Sequence, residues 1–470
     1  MLKQNKGITL IALIITIIVM MILVAVSVTV ALDGGLFGTA KKAASETELK
    51  AEEEILLSAV VGAIGTDAKV DFSKVQLPDG FTGENGVYES SSGNTFVVSE
   101  NGEITGLESG VTLVPYEELT EDLKTAMDEG KITAVLKETK DGIEMQAVIP
   151  AGFKVSTKSG ENTISGGLVI SDADGNEFVW VPCTTDENDT SGLIKYAQDK
   201  RYNDGTLASQ SWYYSLYSDW TDEGGNSESV AKYSGFYVGR YEAGIPSNAP
   251  FYANGDGDEY IKEGRNTTEY IPVSKANNPS WNWISQPNAK TVSENMYSDS
   301  TSVESSLIDS YAWDTIVNWM ENKNPGAATN SLEYGNVVNS TISITNTLYA
   351  SYTFNNSIVD GWTTYPNVYQ KGIFENPNSY AGTVITLYEI TTGSIEDTNV
   401  LNIYDMTGNM WELTTEVGKH DEENSEEQFV AARGGGFNAT LAICARAGDF
   451  SKDINHVDCN AGFRVVLYIK

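Results

Sequence analysis

Asp405 and Glu412 supply two carboxylates, and Gly408 and Met410 between them supply two backbone carbonyls, all within eight residues. An oxygen-only donor set of that density suits Ca²⁺. Asp405, Gly408, Met410 and Glu412 are therefore candidate ligands of a structural calcium ion. A second acidic turn, Asp172-Ala173-Asp174-Gly175-Asn176, has part of a calcium-loop spacing but lacks the distal Glu, and it reads as a hairpin turn. Softer chemistry has little material. Three Cys (Cys183, Cys444, Cys459) and two His (His420, His456) exclude a three-histidine metal centre within one chain. The sequence has no Ser/His/Asp spacing, phosphate-cradling glycine loop or zinc motif.

The elements that must position these residues begin with a membrane signal. From Ile8 to Leu32 there are 25 residues without a charge, and at about 1.5 Å per residue they can cross a ~30 Å hydrocarbon core with some tilt. Lys3 and Lys6 favour a cytoplasmic N-terminus, which places everything after Asp33 outside. The formal net charge is −35, from 30 Lys+Arg against 65 Asp+Glu. Residues 1–60 hold five of those cations and six of the anions, so nearly all of the net charge belongs to the exported part. Nucleic acid is excluded as a partner class, because that affinity rests on clustered cations. In an exported chain Cys444 and Cys459 read as disulfide partners, which leaves Cys183 as a buried small hydrophobe.

A hydrophobic content of 41% over 470 residues is enough for a real core and allows two to four domains. Thr39–Ala63 reads as a helix continuing the apolar run, with Leu49, Ile55, Leu56 and Val60 at helical spacing and a bend at Gly34-Gly35. Thr95–Val98 and Ile104-Thr105 flank an Asn101-Gly102 turn, a hairpin signal. Thr120 caps a helix over about 121–129 that stops at Gly130, and 111–140 reads as a connector. Val169-Ile170 and Phe178–Val181 flank the acidic turn as a second hairpin. All nine Trp lie after residue 179, so the larger core belongs to the second half.

Two resemblances give these elements names. Lys6-Gly7-Ile8-Thr9-Leu10-Ile11, with Gly34–Ala43 beyond, resembles the prepilin-type leader of type IV pilins and type II secretion pseudopilins. That likeness implies cleavage after Gly7, methylation of Ile8 and an apolar helix that anchors the subunit and packs with pilin-like neighbours. Ala12 departs from the family, which usually carries Glu there to pair with a neighbour's N-terminal amine. Its absence removes a registration device and favours a minor, tip or merely anchored role over that of a major filament subunit.

The second resemblance rests on Tyr404–Glu412, Ala432–Phe437 and Ala461–Val465, preceded by Gly175–Pro182 and Gly235–Glu242 in the same order. It is similar to the formylglycine-generating enzyme / sulfatase-modifying-factor domain, which has a C-type-lectin-like fold. Ser306-Leu307-Ile308, Trp313-Asp314 and Trp319 resemble its middle helix. The likeness implies calcium at the 405–412 loop. Oxidase members hold Cu(I) between two thiolates separated by four residues, but here Ala439 stands five residues before Cys444, so no copper is expected. The domain also implies ligand contacts in the loop before the last strand: Phe437, Asn438, Arg446, Asp449, Phe450, Asp453, Asn455 and His456.

The expectation is an α+β chain: a long N-terminal pilin-like transmembrane helix with a small β head, then a large loop-rich C-type-lectin-like domain. Its parts are a leader (1–7), a transmembrane helix (8–32), a helix extension (33–63), a small β region (64–110), a connector (111–140) and the formylglycine-generating-enzyme-like domain (141–470). The expected function is non-catalytic binding of an extracellular protein or glycan at the cell membrane, on a pilus or the cell surface. Its rivals are a cysteine oxidase, an architectural minor pilin or pseudopilin, and a retroelement-diversified variable protein.

Overall fold

The computed structural model describes residues 36–197, 217–222, 225–251, 264–337, 340–344, 348–353, 357–364, 372–375, 386–420, 428–439 and 448–470. Gly7, Ile8, the apolar run and the Gly34-Gly35 bend lie outside the described residues. Among the described residues no helix is long and apolar enough to cross a membrane. The chain divides into two compact units, residues 1–108 with 158–160, and residues 109–157 with 161–470.

In the first unit the helix Leu36–Val61 lays Leu49, Leu56 and Val60 along one face, as a 3.6-residue repeat requires. They pack with Ala63 against Tyr88, Phe96 and Val98. Ile55 does not share that face. One residue from Leu56 it is rotated by a quarter turn or more, and it is 49% exposed. The strands Phe81–Glu84, Val87–Ser90, Thr95–Val98 and Ile104–Leu107 form an antiparallel meander in chain order. The turn at Asn101-Gly102 is where the sequence puts it, with Gly102 at φ 81°.

The second unit begins earlier than residue 141. The segment 111–140, expected to be a connector, is folded: Val111–Leu113, Ile132–Lys140 and Ile143–Pro150 form a three-stranded antiparallel sheet. Asp141 and Gly142, at φ 53° and 83°, make the two-residue turn that an Asp-Gly pair favours. A boundary at residue 141 cuts through that hairpin. The helix Glu121–Asp128 is capped by Thr120, whose hydroxyl accepts from the Leu123 amide.

The main sheet of this unit runs Val303–Leu307, Val465–Ile469, Gly235–Gly239, Glu177–Thr184, Val169–Ser171, Lys154–Val155, with Ile194–Lys195 pairing alongside Glu177–Thr184. Glu177–Thr184 is buried continuously from Phe178 to Cys183, which is why it reads as an unbroken apolar run. Trp180 lies so close to its neighbour strand that a Cβ at Gly235 would fall 2.3 Å from the indole, so only glycine fits. The helix Ser310–Lys323 seats Trp313, Ile316 and Val317 in the core with Val179, Val181, Phe236 and Val466. Ser306-Leu307, expected on that helix, instead lies on the preceding strand and pairs with Val466 and Val465. The helix starts only where Asp309 can cap it.

A second sheet orders Tyr217–Asp222, Trp411–His420, Gln428–Arg433 and Gly448–Asp453, with Ala461–Phe463 parallel to Trp411–His420. The loop that enters it, 400–411, follows the short helical turn Glu396–Thr398 and leads into Trp411–His420.

Candidate functional site

That loop is built from unusual backbone. Leu401, Asn402, Asp405, Gly408 and Asn409 all have φ between 55° and 77°, a region that side chains other than Asn and Asp seldom enter. Gly408 has no alternative: a Cβ there would sit 2.5 Å from the Asn336 carbonyl oxygen. The loop is held by polar contacts rather than regular pairing. Asn402 Nδ2 donates to the carbonyls of Gly166 and Gly167, and the Gly408 amide donates to Gly434 O at 2.9 Å. Gly434 and Gly435 adopt positive φ, as their position in the Arg-Gly-Gly-Gly motif suggests.

Under the loop lies a buried polar network. Asn409 Nδ2 donates to Glu242 Oε2 at 2.7 Å, the Met410 amide donates to Glu242 Oε1 at 3.1 Å, and Ser280 Oγ donates to Oε2 at 2.7 Å. Glu412 accepts from Arg464 through both oxygens, with Nε at 2.9 and 3.1 Å and Nη2 on Oε1. The remaining Arg464 hydrogens reach Gly239 O and Tyr404 O, both at 2.9 Å. Arg240 donates to Glu161 at 2.7 Å and Glu177 at 3.0 Å, beside the stacked rings of Tyr241 and Tyr404. Arg433 pairs with Asp314 and lies over Trp313.

Burial controls the charge states. Burial first, then the charges of Asp405 and Glu412, push the Glu242 carboxyl well above the usual carboxylate range. Burial also raises Asp405, against hydrogen bonds from Gly393, Thr398 and Thr392. Glu242, Glu412 and Arg464 have no exposed surface. They tie the loop to the strands around it.

The geometry places the carboxylates of the candidate calcium loop among protein donors. Asp405 Oδ2 accepts from the Gly393 amide at 2.8 Å and Thr392 Oγ1 at 3.0 Å, and Oδ1 accepts from Thr398 Oγ1 at 2.8 Å. Glu412 is spent on Arg464. Of the set Asp405, Gly408, Met410 and Glu412, both carboxylates accept hydrogen bonds from protein donors. Among the described residues no cluster of three His, Cys, Asp or Glu is placed to hold a metal ion.

The expected ligand contacts separate. Phe437 is 1% exposed and belongs to the core. The side chains of Asn438 and Asn460 hydrogen-bond to each other at 2.9 Å. Asn455 and His456 are exposed, and Asp453 accepts from the Asn455 amide at 2.7 Å. Asp449 and Phe450 lie on the strand Gly448–Asp453. Arg446 and Cys444 lie outside the described residues, and with Cys444 the expected bridge to Cys459. Cys183 is in the core, where burial raises its thiol, and Ala439 is buried.

Sequence reasoning missed Glu242, Asn409 and Asp309. Each is an ordinary residue type whose role appears only through partners distant in the chain.

No curated protein matches the sequence. The crystal structure of CarF is similar at 12% identity, covering 50% of this chain and 87% of that chain with a TM-score of 0.30. Residues 311–469 match the family model described as the sulfatase-modifying factor enzyme 1-like domain. That span runs from the Trp313 helix through the 400–411 loop to the last strand, while strands before residue 311 complete its sheet. The second unit therefore carries, over residues 311–469, a domain like that of the sulfatase-modifying factor enzymes.

Proposed function

We propose that this chain is an exported, membrane-anchored protein whose pilin-like N-terminal segment displays a non-catalytic, C-type-lectin-like binding domain outside the cell. The observation that carries the non-catalytic reading is the commitment of the motif charges. Arg464 with Glu412, Arg433 with Asp314, and Arg240 with Glu161 and Glu177 are tied inside the protein, where they brace loops and touch no solvent-borne substrate. Ala439 supplies no thiolate, and the Cys183 thiol is buried and held protonated. A rigid scaffold of this kind suits recognition by its loops, with Asp453, Asn455 and His456 as contacts. The acidic surface favours an extracellular protein or glycan over nucleic acid or anionic membrane.

Protease treatment of intact cells tests the display, with mass spectrometry of the protein's N-terminus. Release of the second unit from outside, with a mature terminus at Ile8, supports it. An intact Met1 terminus on a protein shielded from protease overturns it. Copper titration tests the absence of catalysis: stoichiometric Cu(I) retention by wild type that is lost in Cys444→Ala would restore the oxidase.

A further inference from the structure

A cleft in the second unit belongs to none of the residues discussed so far as binding contacts. It has a volume of about 150 Å³ and opens between the tip of the 132–150 hairpin and the C-terminal turn of the helix Ser310–Lys323. Its apolar wall includes Ile143, Met145, Trp319 and Leu401, and its rim carries Lys140 and Lys323. We infer that this cleft binds a small amphipathic anion, an aromatic or branched aliphatic carboxylate, with its apolar body in the cleft and its charge between Lys140 and Lys323.

Three observations support it independently. The first is charge. The chain carries −35 overall, yet the charged residues lining the cleft are Lys140, Lys323 and one acid, Asp141. Both lysines are exposed, and among the described residues neither forms a salt bridge. A helix C-terminus by itself accounts for Lys323 but not for a second lysine on the same rim. The second is size. The cleft's volume of about 150 Å³ is of the size that one benzene-sized group fills.

The third is the wall itself. Leu401 is held at φ 55°, a conformation that bulky side chains rarely adopt. It is over-determined from outside: Asn402 Nδ2 bonds the carbonyls of Gly166 and Gly167, and the Leu401 carbonyl sits where a Cβ on Gly167 would be. Strain kept in place by surrounding structure marks positions whose geometry is used. Here it keeps a leucine side chain on the cleft wall. The cleft is separate from the 436–460 segment, so it does not depend on the function proposed above.

Calorimetry and saturation-transfer NMR on the full chain in detergent, with a detergent blank subtracted, test the site using three probes. Benzoate has the ring and the charge, benzyl alcohol the ring alone and acetate the charge alone. The expected result is saturable benzoate binding that exceeds both controls and weakens by about tenfold or more in Lys140→Gln/Lys323→Gln, while Lys275→Gln, outside the cleft, behaves as wild type. Both cleft lysines are exposed, so folding should survive the double change. The inference is overturned if benzoate does not saturate, if the double variant binds it unchanged, if Lys275→Gln loses it equally, or if benzyl alcohol matches it.

Discussion

Asp309 should make the second unit less stable as the pH rises, and Asp309→Asn should remove that dependence. The carboxylate caps the helix Ser310–Lys323 from a position with no exposed surface. It accepts from the Ala312 amide at 2.8 Å, from Tyr196 Oη at 3.2 Å and from Tyr468 Oη. Two more acids meet the same helix end: Asp222 accepts from the Ser310 amide at 2.9 Å, and Glu416 accepts from Ser310 Oγ at 2.6 Å. Burial, then the Asp222 charge, push the Asp309 carboxyl from its ordinary value of 3.8 up to about 7. The folded state therefore keeps a proton that the unfolded chain has already lost. This contribution is complete below the unfolded value and drains away as the pH climbs to about 7, after which it is flat. Between pH 5 and 8 the loss runs over about two pH units at roughly 1.4 kcal/mol each, or about 3 kcal/mol. Asparagine caps a helix about as well as aspartate and carries no charge. The stability of Asp309→Asn minus that of wild type should thus grow by about 3 kcal/mol from pH 5 to pH 8, whatever constant offset the amide brings. Urea unfolding followed by tryptophan fluorescence measures it, and all nine Trp lie after residue 179, so the signal reports the second unit. A difference that stays level across that range, or shrinks, refutes the reasoning.

Two further outcomes follow from the buried network. Arg464→Met leaves Glu412 buried without its partner and should cost roughly 3–5 kcal/mol in urea unfolding, with much of it recovered in Arg464→Met/Glu412→Leu; a single-variant cost below about 1 kcal/mol would mean the pair is not buried as described. Because Asp405 and Glu412 both accept hydrogen bonds from protein donors, millimolar Ca²⁺ or a chelator should leave the Tm of the second unit unchanged. Calcium at a hundred times its Kd would add about 2.7 kcal/mol and several degrees, so a shift of that size would reinstate the cation site.

Features set by neighbours in the chain were legible in advance. The Thr120 cap, the turns at Asn101-Gly102 and Asp172–Asn176, and the positive φ of Gly434 and Gly435 follow from nearest-neighbour sterics and local hydrogen bonding, which short spacings reveal. Asp141-Gly142 carries the same local signal, at the turn between Ile132–Lys140 and Ile143–Pro150. The burial of Trp180, Trp313 and Phe463 was implied by residue type.

What lies between distant residues was not legible. By itself the sequence determined the composition of the 405–412 loop, two carboxylates and two carbonyls, and from composition calcium was a sound expectation. Only the tertiary structure decided what those oxygens bind, by bringing Arg464 to Glu412 from 52 residues away and Thr392, Gly393 and Thr398 to Asp405. A carboxylate has few lone-pair directions, and the fold brings donors to them from elements far apart in the chain. Whether such a residue ligates a cation or braces a loop is therefore a property of the packed structure and not of its neighbours in sequence.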